Sequence, residues 1–318
     1  MQDQNIDLLI GTHSVLNDEV KFNNLGLVIT DEQHRFGVKQ RQNLQKKGKE
    51  VDVLYLSATP IPRTLALTIY GDMDISQIKI KPQNNKTVIT KVIKEKDIKE
   101  VLLKMLEQIK LGHQIYVVVP LIEDDETKAM ENVNSIYNKL NAAFNNKIPL
   151  DIMHGQLNPK EKDIIMKKFQ NNEIKILIST TVIEVGVDVK NATTIVIFNA
   201  ERFGLATLHQ LRGRIGRNNF ASYCYLISNH EKERLKIMEK TTDGFEISEK
   251  DFELRGIGDL FGIKQSGDMN FKIANLKTDY KILLQCKKDS EDFLNNHLNN
   301  LSDFPEQKLI IDSIMFID

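Results

Sequence analysis

Short apolar runs alternate with longer helical patterns over most of the chain. "DLLIG", "LGLVITD", "VDVLYLSAT" and "DISQIKI" are predicted strands before residue 82, and "TVITKVI", "QIYVVVP", "LDIM", "IKILIST", "TTIVIFN" and "SYCYLIS" follow. Between them, "DIKEVLLKMLEQIKLG" places Val101, Leu102, Met105, Leu106 and Ile109 on one stripe of a helix. "LNPKEKDIIMKKF" opens a second helix with Asn158 as N-cap, Pro159 at the first helical position and Glu161 three residues after the cap. This alternation predicts an α/β chain built on parallel sheets. "KPQNNK", residues 81–86, reads as a linker. After residue 230 the strands stop: "HEKERLKIMEKTTDGFEISEKDFELRG" reads as helices, "RGIGDLFGIKQSG" as an ordered loop, and a helical tail begins near Leu276. The coarse βα period common to both halves is the one internal repeat.

Polar and small residues follow the strands in constant phase. "GTH" comes after "DLLI", "DEQH" after "LGLVIT", "SAT" after "VLYL", "HG" after "DIM" and "STT" after "IKILI". Ligands of open α/β sheets bind beyond the carboxyl ends of the strands, so polarity in that phase marks a site.

Composition narrows the class without naming it. At 318 residues and 41% hydrophobic content the chain can build two ordinary cores. Lys plus Arg (43) nearly cancel Asp plus Glu (44), so no global basic signature exists, although a local basic groove suffices for phosphate contacts. Two cysteines exclude a disulfide scaffold and fit a reducing compartment. Cys224 reads as strand core and Cys286 as helix packing. No apolar run approaches the roughly 20 residues needed to cross a bilayer, and "MQDQNIDLLIG" lacks the basic start of a signal peptide. The expectation is a soluble, cytoplasmic protein.

The strand-end residues suggest phosphoryl chemistry. Asp31 can hold Mg²⁺, and Glu32 can orient an attacking water, while Gln33 and His34 can relay between a γ-phosphate and the rest of the chain. An acidic helix cap and a turn histidine account for the same residues equally well when taken alone. "HQLRGRIGR" holds Gln210, Gly213, Arg214 and Arg217 as Q-x-x-G-R-x-x-R. On a helix the two arginines stand at i and i+3 on one face, placed to meet a transferring phosphoryl group or to form an exposed basic surface. Glycines there argue against an ordinary surface helix, since each costs up to about 1 kcal/mol relative to Ala. In "STTVIEVGVDV", Thr180 and Thr181 suit a nucleic-acid phosphate, and Gly186 and Asp188 suit a nucleotide edge; a plain βα turn reads the same way.

Taken in order, "DEQH", "SATPIPRT", "STTVIEVGVDV" and "QLRGRIGR" resemble the later motifs of superfamily-two helicases. "DEQHRFGVKQR", "SATPIPRTLALTIYGDMD" and "DFELRGIGDLFGIKQSG" are similar to the bacterial double-stranded-DNA translocases of the RecG and Mfd type, and the short helical ending favours the RecG type. The resemblance runs over essentially the whole chain. It implies tandem RecA-like domains: the C-terminal half of the first in 1–86, the second in 87–230, and a helical hairpin, translocation loop and C-terminal helices in 231–318. It implies ATP and Mg²⁺ as cofactors, with Asp31 (the metal ligand), Glu32, Gln33, His34, Gly186, Asp188, Gln210, Arg214 and Arg217 around the nucleotide. Of these, Asp31, Glu32, Arg214 and Arg217 are the implied catalytic residues. Ser57, Ala58 and Thr59, with Arg255 and Gln265 of the translocation segment, would couple hydrolysis to movement. Thr12, His13, His154, Gly155, Thr180 and Thr181 would lie along DNA. Branched duplex DNA is the implied partner, single-stranded-DNA-binding protein a candidate second one, and the whole protein a monomer without membrane contact. The implied activity is ATP-driven remodelling of stalled forks and Holliday junctions in a bacterial cytoplasm.

One departure from the pattern is large. No G-x-x-x-x-G-K-[ST] occurs in the 318 residues, and none of them reads as a wedge-like domain. The expectation is that this is the C-terminal part of a longer protein and that the isolated chain hydrolyses ATP negligibly. The first domain should then expose a sheet edge and apolar faces, while 87–230 folds whole. The alternatives are an Mfd-like transcription-repair translocase and a non-catalytic DNA- or protein-binding fragment.

Overall fold

The computed structural model describes residues 6–17, 19–31, 47–48, 51–58, 75–80, 88–120, 126–180, 189–230, 233–255 and 279–315. The chain divides into two compact units, Met1–Pro60 and Ile61–Asp318.

In the first unit, β1 (Leu27–Asp31) and β2 (Asp52–Leu56) pair in parallel, Ile29 beside Leu54 and Asp31 beside Leu56. Side chains alternate across the pleat: Val28 and Thr30 are buried, while Leu27 (54%), Ile29 (57%), Leu54 (47%) and Leu56 (43%) are exposed on the other face. "DLLIG" and "DISQIKI" correct the strand expectation. Residues 6–11 and 75–80 adopt no regular structure, and Leu8, Ile10, Ile78 and Ile80 are exposed. An apolar run becomes a strand only where a neighbour accepts its backbone hydrogen bonds, and among the described residues no such pairing is present for these two. The linker at 81–86 lies outside the described residues.

The second unit is a three-layer α/β sandwich. Its six strands are β3 (Val88–Ile93), β4 (Gln114–Val118), β5 (Leu150–Met153), β6 (Ile176–Ser179), β7 (Ala192–Ile197) and β8 (Ser222–Ile227). They run parallel in the order β3-β8-β7-β4-β6-β5. β4, β6 and β7 are buried throughout, as strands covered on both faces must be, and this is why their sequences are mostly apolar rather than alternating.

Helices α1 (Ile98–Lys110) and α2 (Glu126–Ala143) cover one face. There Val101 and Met105 of α1, with Val133 and Leu140 of α2, pack on Ile115, Val117, Ile178 and Val196. Full burial of such side chains contributes about 1.5–3 kcal/mol each. The other face takes α3 (Pro159–Gln170), α4 (Leu205–Arg212), α5 (Glu233–Lys240) and α6 (Gly244–Arg255). Phe169 of α3, Leu208 and Leu211 of α4, Leu235 and Met238 of α5 and Ile247 of α6 share one core with Tyr116, Leu177, Ile195 and Cys224. The Tyr116 and Phe169 rings meet at 5.0 Å between centroids.

Helix α3 begins as its sequence requires. Asn158 accepts from the Glu161 amide, the Glu161 carboxylate accepts from the Asn158 amide, and Pro159 occupies the first turn. The chain ends in α7 (Tyr280–His297) and α8 (Pro305–Met315), joined by a short 3-10 stretch. Cys224 is buried, and burial pushes its thiol pKa up to about 12, which leaves it an inert core residue. Cys286 departs from the packing expectation: it lies on α7 but is exposed. Among the described residues, no helix is long and apolar enough to cross a membrane.

Candidate nucleotide and DNA site

Some of the predicted residues lie at the carboxyl ends of strands within each unit. In the first unit, parallel pairing of Asp31 with Leu56 sets Asp31, the exposed last residue of β1, beside the exposed Ser57 and Ala58 that follow β2. Thr12 is the exposed N-cap of a 3-10 turn, His13–Leu16, with its hydroxyl 3.4 Å from that of Ser14. Glu32, Gln33, His34 and Thr59 lie outside the described residues.

The donor chemistry at the end of β1 suits magnesium. Mg²⁺ takes hard oxygen ligands and is commonly held by one or two carboxylates, with waters and phosphate oxygens completing its shell. One exposed carboxylate followed in sequence by a second is enough for that role. Among the described residues, no cluster of three His, Cys, Asp or Glu side chains competes as a metal site.

In the second unit, the pairing of Met153 with Ser179 brings His154 and Gly155, just past β5, next to Thr180, just past β6. Thr180 is buried, and its carbonyl accepts from Ser179 Oγ at 2.8 Å. The chain leaves Gly155 exposed, and a side chain there would meet no atom within 4 Å. Its carbonyl accepts from Lys162 Nζ of α3 at 2.7 Å. Burial, followed by the nearby Lys162 cation, lowers the pKa of His154 below its ordinary value of 6.5. The imidazole is therefore mostly neutral at pH 7, a form suited to hydrogen bonding rather than to charge pairing. Its Nδ1 is buried and has no hydrogen-bond partner among the described residues. Thr181, Gly186 and Asp188 lie outside the described residues.

The arginine motif is arranged differently from the helical expectation. α4 ends at Arg212, with Gly213 as C-cap, so Arg214 and Arg217 follow the helix rather than riding on it. Gly213 donates back to the His209 carbonyl at 3.0 Å, and Gly216 sits at φ +77°, a value that suits glycine and turns the chain. Gln210 and Arg214 are half-buried; Arg217 is exposed, and its Nε donates to the Gly213 carbonyl at 3.1 Å. Arg255 is the last residue of α6, and Gln265 lies outside the described residues.

One functional-looking residue escaped the sequence reading. Arg212 is buried to 3% exposure. Its guanidinium donates to the carbonyls of Met238 and Thr241 at 2.9 Å each, and lies 3.1 Å from His209 Nδ1 and 3.4 Å from Thr90 Oγ1. It joins the arginine motif, the edge strand β3 and the end of α5. In the sequence it is one more arginine in "QLRGRIGR", and no local signal separates it from its neighbours.

Three family models match the chain. "Helicase conserved C-terminal domain" covers residues 94–219, "ATP-dependent DNA helicase RecG, domain 3, C-terminal" covers 241–315, and "DEAD/DEAH box helicase" covers 1–68. The "ATP-dependent DNA helicase RecG" of Staphylococcus aureus strain MRSA252 is 47% identical over 321 residues, 98% of this chain and 47% of that protein. The protein of the same name from Staphylococcus epidermidis strain ATCC 12228 is 47% identical over 320 residues, 97% of this chain and 47% of its own. The chain thus spans about half the length of the curated relatives it matches. Among solved structures, RecG bound to a three-way DNA junction aligns with 43% identity and TM-score 0.66, covering 87% of this chain and 36% of that one. Dbp5 of S. cerevisiae, bound to RNA and ADP BeF3, aligns with TM-score 0.50 at 17% identity, over 87% of this chain and 66% of that one, and shares the fold alone.

Proposed function

The chain belongs to the RecG family of ATP-dependent DNA helicases, corresponding to its C-terminal portion, and on that premise we propose that it is motor machinery for remodelling branched duplex DNA. The 47% identity to RecG over 98% of the chain carries the reading. The solved relative bound to a three-way DNA junction supports branched DNA as the substrate. Stalled forks and Holliday junctions are the specific forms we infer, and a bacterial cytoplasm the place.

The residue roles follow from the family resemblance, position by position. Asp31 and Glu32 hold the magnesium of Mg-ATP and orient the attacking water, respectively; Mg²⁺, when bound, supplies charge neutralisation at the phosphates. Gln33, His34, Gly186, Asp188 and Gln210 contact the nucleotide. Arg214 and Arg217 offset charge that develops on the transferring phosphoryl group. Ser57, Ala58 and Thr59 answer the state of Asp31 through the β1–β2 pairing, and Arg255 and Gln265 act at the duplex. Thr12, His13, His154, Gly155, Thr180 and Thr181 are read as lying along the DNA backbone, contacts that position DNA without reading its sequence. Residues 1–86, 87–230 and 231–318 are read as first RecA-like portion, second RecA-like domain and translocation region.

The test is a chimera. The half of the Staphylococcus aureus protein that this chain does not match is joined to residues 1–318. DNA-stimulated ATP hydrolysis and junction unwinding should appear, and Arg214→Ala should lower turnover by roughly 10³-fold or more. Glu32→Gln should abolish hydrolysis and spare nucleotide binding. A folded chimera that hydrolyses ATP equally with and without DNA would overturn the motor reading.

A further inference from the structure

The side chain of Lys47 reaches 27 to 32 residues back along the sequence. Its ammonium donates to the carbonyls of Val15 at 3.2 Å, Asn17 at 2.5 Å and Val20 at 3.0 Å. An ammonium has three N–H donors, and all three carbonyls belong to one loop, so the side chain's hydrogen-bonding capacity is fully committed. Val15 and Asn17 lie at the end of the 3-10 turn His13–Leu16, and the Asn17 carbonyl accepts from the Val20 amide at 3.0 Å as well as from the lysine.

The packing around this contact is close on both sides. A Cβ added at Gly48 would meet Val51 Cγ2 at 2.4 Å and the Leu25 carbonyl at 2.9 Å. One added at Gly11 would meet Val15 Cγ2 at 2.3 Å. Both glycines sit where backbone and side chain nearly touch, Gly48 beside the lysine and Gly11 beside Thr12. Asp52, the first residue of β2, donates to the Gly26 carbonyl at 2.9 Å and ties this segment to the strand pair. Thr12 itself stays exposed at the head of the turn.

We propose that Lys47 is a positioning residue for DNA engagement: it sets the Gly11–Ser14 segment in the shape that lets Thr12 and the turn's backbone amides meet a DNA phosphate. This rests on the reading of Thr12 and His13 as DNA-contacting. Lys47 does not bind the phosphate, because its donors are engaged by Val15, Asn17 and Val20. A lysine in a DNA-handling protein would ordinarily be assigned to direct charge neutralisation, and the geometry assigns it to the loop instead. An arginine cannot take its place, since a planar guanidinium does not fit three carbonyls that converge on one point.

The experiment uses the 318-residue chain and a fluorescent three-way DNA junction, with affinity measured across a salt series. Amide exchange of Val15, Asn17 and Val20 is followed in parallel, because these amides bond to Thr12, Ser14 and Asn17 within the loop. Lys47→Met should weaken binding roughly tenfold. It should leave the slope of log affinity against log salt unchanged, because neutral donors release no counterions. Loop exchange should accelerate, and Lys47→Arg should fail to restore affinity. Should Lys47→Met fail to fold, Lys47→Arg carries the same test: lost affinity and faster loop exchange, with β1 and β2 still protected, supports the proposal. A slope shallower by about one, or full binding in Lys47→Arg, makes Lys47 a direct phosphate contact and overturns it. Native affinity in Lys47→Met alongside weakened Thr12→Ala overturns the positioning role and leaves the loop's DNA role standing. Native affinity in both variants, or no binding by the chain at all, removes the loop reading and this inference with it.

Discussion

The Arg212 guanidinium and the Met238 carbonyl lie 2.9 Å apart inside the second unit, and through them the arginine motif is fastened to the last turn of α5. A second carbonyl, that of Thr241, takes the same Nη1 at 2.9 Å. Helix ends leave their last carbonyls without intrahelical partners, and here a buried cation from α4 satisfies two carbonyls at the end of α5. Burial lowers the Arg212 pKa, but a guanidinium begins so far above neutrality that it stays charged at pH 7. Any shift of α4 must therefore move α5 or break charge-assisted bonds in a dry environment.

Replacing Arg212 by Met should destabilise the second unit by about 2–4 kcal/mol, because it strands buried carbonyls. Lys in its place keeps the charge but loses the fork, and should recover only part of the loss. Urea unfolding of the chain measures both. A change below about 0.5 kcal/mol for Arg212→Met would place it with ordinary surface substitutions and remove the fastening role.

Gln114 makes a comparable prediction at the opposite end of the sheet. It is fully buried at the start of β4, and its Nε2 donates to the carbonyls of Phe169 at 2.5 Å and Ile174 at 2.7 Å. Its Oε1 accepts from Asn191 Nδ2 at 3.2 Å. Gln114→Met keeps the volume and abandons the Phe169 and Ile174 acceptors, so a loss of about 2–3 kcal/mol is expected in thermal or urea unfolding. Exchange at the end of α3 should accelerate selectively, since Phe169 sits in its last turn.

These two residues show which parts of the molecule were legible. β4, β6 and β7 could be read directly, because strands buried on both faces are rich in apolar residues, with the few buried polar positions such as Gln114 and Thr193 hydrogen-bonded. The same rule misread "DLLIG" and "DISQIKI", where Leu8 and Ile78 are exposed; apolarity records a wish for burial and says nothing of a neighbouring strand. At the candidate site, Asp31 beside Ser57 and His154 beside Thr180 follow from strand phase alone. Arg214 and Arg217 kept the i, i+3 spacing of a helix, but Gly213 and Gly216 end the helix before that spacing can act. Arg212 was invisible because its partners lie 26 and 29 residues downstream, beyond the reach of any local pattern.

The capping box of α3 offers a sharper local test. Asn158 Oδ1 accepts from the Glu161 amide at 2.9 Å, and Glu161 Oε2 accepts from the Asn158 amide at 3.0 Å. Asn158→Ala should cost about 1 kcal/mol, and Asn158→Gly only a few tenths, because glycine leaves the amide open to water. Equal losses in the two variants would mean the side-chain oxygen contributes nothing.

The neutral His154 gives a pH dependence whose sign can be worked out. Its native pKa is lowered by burial and by Lys162, whereas the unfolded side chain titrates near 6.5. Between those two values the unfolded chain binds more protons, so stability rises with pH across that interval. The contribution is fully present above 6.5 and is lost as pH falls through the lowered native value. His154→Gln, which keeps a hydrogen-bonding side chain without titrating, should flatten this part of the stability profile and leave stability at pH 8 nearly unchanged. Lys162→Met should act oppositely on the histidine: removing the cation raises the native pKa and narrows the interval, while the Gly155 carbonyl loses its 2.7 Å donor. NMR titration of the His154 ring in both the native chain and Lys162→Met decides the matter. A ring that titrates at or above 6.5 in the native chain would show that burial and Lys162 do not hold it neutral.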